Sequence, residues 1–144
     1  DAMIDEWAGD IGCGVKYFSQ DAAIKLAPAA GIELDASEAP AHKLKAIQKL
    51  MAEDDPRAPK IYESIGCYLG HTLAYYHGTY GFRYVLLLGR VMSGKGGDLL
   101  IETCQKVLND EYPEIASQFE LKLPDEFFRR VGQSMAVASL PELN

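Results

Sequence analysis

The stretch 82-FRYVLLLGRVMSGKGGDLL-100 decides how this chain is read. Phe82 to Leu88 is aromatic, β-branched and continuously apolar, which predicts a buried strand. Gly89 to Gly97 then forms a glycine-rich turn. A helix is predicted from Asp98 to Leu108, with Leu99, Leu100, Cys104, Val107 and Leu108 facing inward. Open α/β sheets collect ligands where a strand runs into such a turn. Bare glycine backbone and the free N–H groups of a helix N-terminus both suit phosphate there.

Working outward, Ile61, Ile65, Leu69 and Leu73 recur every four residues. They predict a long helix from Pro56 to His77, stopped by Gly78, with Tyr62, Cys67, Tyr68 and Tyr76 widening its apolar stripe. Gly66 and Gly70 lie four apart on that helix and predict a neighbouring element packed against its backbone. Upstream, Ser19 is placed to cap a helix reaching Ala30, with Asp21 in its first turn. His42 to Met51 reads as another helix, burying Leu44, Ile47, Leu50 and Met51. Downstream, Phe119 to Leu123 alternates like a half-buried strand, and Asp125 is placed to cap a last helix from Glu126 to Ser139. The expected class is α/β, helix-rich, with a sheet too small to cover its helices.

The chain has 144 residues, 48% apolar and 24% charged, which suits one globular domain and excludes disorder. Its formal charge of -7 argues against a nucleic-acid face on this segment. Cys13, Cys67 and Cys104 are few, odd in number and far apart. They read as free thiols of a reducing compartment, so a cytoplasmic setting is expected and a zinc site is not. The longest apolar run, Val85 to Leu88, is too short to cross a bilayer.

Candidate sites are weighed on spacing. Gly89-Arg90-Val91-Met92-Ser93-Gly94-Lys95 fits G-x-x-x-x-G-K, but Gly96 stands where a P-loop needs a magnesium-binding hydroxyl. Gly9-Asp10-Ile11-Gly12-Cys13-Gly14 is either a phosphate-cradling turn or a flexible approach to a helix. His42, His71 and His77 lack the spacing of a metal site. Tyr62, Tyr68, Tyr75, Tyr76, Tyr80 and Tyr84 read first as core and boundary packing, and otherwise as a ligand cleft or a homodimer interface. Glu53-Asp54-Asp55 reads as a solvated turn before a helix.

The order of these motifs resembles the C-terminal part of ROK-family proteins, which comprise sugar kinases and sugar-responsive repressors. Gly12-Cys13, Tyr17 and Ser19 are similar to the family's Gly-Cys-Leu-Glu-x-Tyr-x-Ser stretch. Asp54-Asp55-Pro56-Arg57-Ala58 is similar to its acidic turn, and Leu69-Gly70 with Leu73-Ala74 to its Leu-Gly-x-x-Leu-Ala signature. Phe82 to Ser93 is similar to its apolar strand and adenosine turn, and Gly132 to Ala138 to its closing helix. The resemblance implies a helix-rich lobe of the actin-like ATPase (ribonuclease H-like) fold. ATP with magnesium is the implied cofactor and a sugar the implied substrate. Gly89, Arg90, Ser93 and Gly94 are the expected cofactor-binding residues. The family's phosphate loop and catalytic aspartate are expected upstream of Asp1, so this lobe alone is expected to be inactive. Two departures stand out: Arg90 replaces the second glycine of the adenosine turn, and Val15 replaces the glutamate after Gly-Cys-Leu.

Overall fold

In the computed structural model, the described residues are 3–5 and 8–123. The chain order is α1 (Val15–Phe18), α2 (Gln20–Leu26), α3 (Pro40–Ala52), α4 (Ala58–Tyr80), β1 (Tyr84–Leu86), a 3-10 turn (Arg90–Met92), α5 (Lys95–Glu111), α6 (Pro113–Ala116) and β2 (Glu120–Lys122). The two strands pair in parallel, Val85 opposite Leu121, so β1, α5 and β2 form one strand–helix–strand crossover. The architecture is helix-rich with a two-stranded parallel sheet, compatible with the α/β class. The expected final helix at Glu126 to Ser139, with Gly132 to Ala138, lies outside the described residues. Among the described residues no helix is long and apolar enough to cross a membrane.

The core forms around α4 and α5. Ile61, Ile65, Leu69 and Leu73 are all buried, as their four-residue spacing requires. Leu100, Cys104 and Leu108 of α5 meet them. The approach is close because Gly66 and Gly70 have no side chains. A Cβ on Gly66 would lie 2.5 Å from the Leu100 carbonyl oxygen and 2.8 Å from Thr103 Cβ; one on Gly70 would lie 2.8 Å from Val107 Cβ. The neighbour that these two glycines predict is therefore α5. Leu44 and Ile47 of α3, with Ala22 and Ala23 of α2, close the other side of the core.

Several boundaries differ from the sequence expectation. The second helix ends at Leu26 rather than Ala30, because Pro28 has no N–H to continue the ladder. The chain turns back instead through Gly31, at φ +76°, with Ile32 N donating to the Ala27 carbonyl at 2.9 Å. The long helix runs through Gly78 and stops at Gly81, whose φ of 59° makes it the left-handed cap; its N–H donates to the His77 carbonyl at 2.9 Å. α5 starts three residues early, at Lys95 rather than Asp98, and takes Gly96 and Gly97 into its first turn.

The strand expected to be buried is covered on one side only. Leu87 is buried and Val85 half-buried, but Tyr84, Leu86 and Leu88 are 64%, 58% and 55% exposed. One strand partner and a single layer of helices cannot cover both faces of an apolar run. Regular pairing also shrinks to Tyr84–Leu86. The second strand behaves as alternation predicts, with Phe119 buried, Leu121 half-buried, and Glu120 and Lys122 exposed.

The acidic turn is more than solvated. The Asp55 carboxylate accepts from Arg57 N at 2.9 Å, Nε at 3.0 Å and a terminal guanidinium nitrogen at 2.8 Å. The other terminal nitrogen of Arg57 donates to the Gly31 carbonyl at 2.8 Å, tying the loop after α2 to the start of α4.

Two outcomes follow from this packing. Gly66→Ala and Gly70→Ala should each lower the melting temperature through overpacking of about 1–3 kcal/mol. Gly78→Ala, where an added Cβ meets nothing within 4 Å, should raise it. Hydrogen bonds from Arg57 hold the Asp55 carboxyl down at about 2. Its charged contribution is therefore full above the ordinary carboxyl range and lost only as pH falls through about 2. A carboxyl-detected titration of Arg57→Ala should show the Asp55 midpoint moving up toward the ordinary carboxyl value without reaching it, since the N–H of residue 57 still donates to the carboxylate.

Candidate functional site

The turn after β1 is built by two glycines that no other residue fits. Gly89 adopts φ 116° and ψ 163°, and Gly94 adopts φ 69° and ψ -166°, both on the side of the map that side chains disfavour. Between them Arg90–Met92 makes one 3-10 turn, with Val91 and Met92 buried as its anchors. Gly96 and Gly97 serve a different purpose. A Cβ on Gly96 would strike the Tyr62 ring, and one on Gly97 would strike the Met92 backbone. Half of the glycine richness that suggests phosphate is thus required by close packing.

The structure separates the expected site residues into two cavities. Gly89 and Arg90 line one of about 360 Å³, together with Val15, Phe18, Ser19, Asp21 and Leu88. Ser93 and Gly94 line another of about 260 Å³, with Gln48, Met51, Tyr62, Lys95 and Gly96. The 3-10 turn stands between them, and Gln48 Nε2 braces it by donating to the Arg90 carbonyl at 2.8 Å. A larger depression of about 680 Å³ lies along α5, where Asp98, Glu102 and Asp110 outnumber Lys106, so its charge balance is unfavourable to phosphate.

In the first cavity, Ser19 is occupied as a cap, as expected. Its Oγ accepts from Asp21 N at 3.0 Å and donates to the Val15 carbonyl. Asp21 is neutralised by Lys16, whose ammonium sits 3.0 Å from its carboxylate in a nearly buried position. Arg90 is exposed at the lip, where a guanidinium can stack on a flat ring. The cavity therefore offers apolar walls, bare backbone at Gly89 and one planar cation. Among the described residues that line it, no nucleophile is paired to a base.

The second cavity contains what sequence reasoning missed. Tyr62 is fully buried and its hydroxyl has no hydrogen-bond partner among the described residues. Leaving a buried hydroxyl unpaired costs about 1–3 kcal/mol. Burial pushes its pKa up to about 12, so it is a neutral donor. The four-residue stripe marks Tyr62 as part of a helix flank; only the packing of Gly96 against its ring reveals where the hydroxyl end lies. Lys95, the lysine of the P-loop-like spacing, extends to Asp54 at 2.7 Å.

The remaining candidates have structural roles. Gly9 and Gly12, at φ 74° and 79°, shape a hairpin in which Ile4 bridges Ile11 and Asp5 N donates to the Asp10 carbonyl at 2.8 Å. The approach to α1 is thus hydrogen-bonded and not loose. His71 Nδ1 lies 2.9 Å from the Tyr112 hydroxyl, and His77 packs between Phe82 and Phe119. The expectation that the tyrosines fill core and boundary holds for Tyr62 alone among those six. Tyr75 and Tyr80 are 75% and 74% exposed, and Tyr68, Tyr76 and Tyr84 are also exposed. Tyr68 and Tyr76 thus do not extend the buried stripe. No group of residues able to hold a metal ion occurs among the described residues. No family model, curated protein or solved structure matches the chain.

The cysteines divide by burial. Cys104 is fully buried and its thiol is pushed up to about 12, while Cys13 and Cys67 are half-buried. A thiol reagent at pH 8 should modify Cys13 and Cys67 in the folded protein and reach Cys104 only on unfolding. Rapid modification of Cys104 in native buffer would contradict the packing of α4 on α5.

Proposed function

We propose that this chain is the C-terminal, nucleotide-side lobe of a ROK-type sugar kinase with the actin-like ATPase fold. The observation that carries the reading is the course of β1. It pairs in parallel with β2, ends at Gly89 in a conformation reserved for glycine, and opens onto a cavity lined by Gly89 and Arg90. That is the geometry in which α/β proteins hold nucleotides. In this reading the adenosine lies against the Gly89 backbone with the Arg90 guanidinium stacked on the base. Ser93 and Gly94 set the start of α5 beside it.

The chemistry of the whole enzyme is phosphoryl transfer from ATP to a sugar hydroxyl, with magnesium neutralising the phosphates and a base accepting the hydroxyl proton. None of those groups is assigned to a residue of this chain, whose part is to bind and orient the nucleoside. The reading puts the protein in the cytoplasm, where ATP is available. The bare row Tyr84, Leu86 and Leu88 supports a further body packing on this face.

A second reading, a non-catalytic sugar-responsive regulator on the same lobe, is favoured by Arg90. Where the family has a second glycine, a side chain now occupies the cavity wall. Addition of ADP to the 144-residue chain should move the amide resonances of Gly89 and Arg90 saturably, and Gly89→Val should abolish the response. A silent spectrum would remove the nucleotide reading. ATP-dependent phosphorylation of a hexose panel, by a polypeptide joining this chain to a phosphate-loop lobe, separates kinase from regulator.

A further inference from the structure

We infer that the bare face of the sheet is a docking surface for the chain's own residues 126–139, laid over β1 as a helix. The face is the first observation. Tyr84, Leu86 and Leu88 are exposed, whereas Val85 and Leu87 between them pack into the core. Strand side chains alternate, so the exposed three form one row on the side away from that core. Both sides of this run are therefore apolar, the pattern of a strand covered on both faces. The described residues cover one of them.

The second observation is where the chain goes next. Leu86 lies opposite Lys122, and Leu87 N donates to the Lys122 carbonyl at 2.9 Å. Leu123, the last described residue, thus leaves the sheet at the Leu88 end of the row. After Pro124 and Asp125 the sequence reads 126-EFFRRVGQSMAVAS-139. At helical periodicity Phe127, Phe128, Val131, Met135 and Ala138 share one arc of about 100°, and Arg129, Arg130 and Gln133 fall outside it. The third observation is the match of spacings. Four residues of helix advance about 6.0 Å, and two residues of strand about 6.6 Å. A helix running back along β1 therefore sets Phe127 at Leu88, Val131 at Leu86 and Met135 at Tyr84. Leu88 also lines the cavity of Gly89 and Arg90, so the first turn of the docked helix stands at that cavity's lip. The other surface within reach is the depression along α5, which Leu123 also lines. Its carboxylates suit Arg129 and Arg130, but its described lining offers an apolar stripe only Ile101 and Leu123. The inference stands apart from the nucleotide reading, because no ligand enters its test.

The test is a map of nuclear Overhauser contacts in the intact 144-residue protein, with a mixed labelled and unlabelled sample to separate contacts within one chain from those between chains. Contacts within one chain are expected between Leu88 and Phe127 and between Leu86 and Val131. Leu86→Asp and Val131→Asp should each lower the melting temperature by several degrees, and the double variant should lose little more than either alone. The map of the unmutated protein decides the matter even where a variant fails to fold. Contacts from residues 126–139 to Ile101 and Gln105 would place the segment on α5 and overturn the inference. So would contacts to β1 that arise only between chains, which make a second copy the occupant, or no contacts to β1 at all. Leu86→Asp melting with the parent, as at a solvated position, would count equally against it.

Discussion

The backbone-to-backbone approach of α4 and α5 at Gly66 and Gly70 is the constraint on which the other features depend. It brings α5 close enough for Leu100, Cys104 and Leu108 to share one core with Ile61, Ile65, Leu69 and Leu73. It also fixes where α5 begins. With α5 seated this closely, its first turn falls onto the Tyr62 ring, and Gly96 is the residue that permits it. The 3-10 turn is then placed from both ends, by buried Val91 and Met92 on one side and by Gln48 on the other. The cavity lined by Tyr62, Lys95 and Gly96 lies at that contact.

Glycine therefore does three separate jobs in setting the turn after β1 and the helix that follows it. Gly89 and Gly94 supply positive φ; Gly96 and Gly97 supply clearance; Gly66 and Gly70, distant in sequence, let the helix bearing Gly96 and Gly97 approach. A sequence pattern records only that glycines cluster, and a phosphate loop and a tight helix seat both produce such a cluster. In the structure Gly96 and Gly97 are seats for close packing, while Gly89 and Gly94 have open space beside them and each lines a cavity.

Much of the fold was legible because its signals are periodic. The α4 stripe, the Ser19 cap, the strand–turn–helix order and the alternation at Phe119 to Leu123 are all written at short range. What was not legible depends on neighbours distant in sequence. The run Val85 to Leu88 looks the same whether one or two layers cover it, so its half-bare state could not be read. Gly78 and Gly81 are equally good stops on paper; the left-handed φ at Gly81 decides between them. The strand–turn–helix around Gly89 was legible through its glycines. The division of that turn's surroundings into two cavities was not, since that depends on Gln48 reaching Arg90 across 42 positions of chain. Tyr62 was hidden among its aromatic neighbours, because an unpartnered hydroxyl is a property of surroundings and not of residue type.

The two-stranded sheet has a mechanical consequence of its own. Among the described residues each strand has one paired side, so each also presents an open edge of unpaired backbone donors and acceptors. On β1 that edge runs beside exposed Tyr84, Leu86 and Leu88, an apolar row in strand register. Glu120 and Lys122 lie opposite Tyr84 and Leu86 in register, and the Lys122 ammonium sits 5.4 Å from the centre of the Tyr84 ring. The exposed face of the sheet is therefore divided lengthwise: a surface that packs on it meets apolar side chains over β1 and charges over β2.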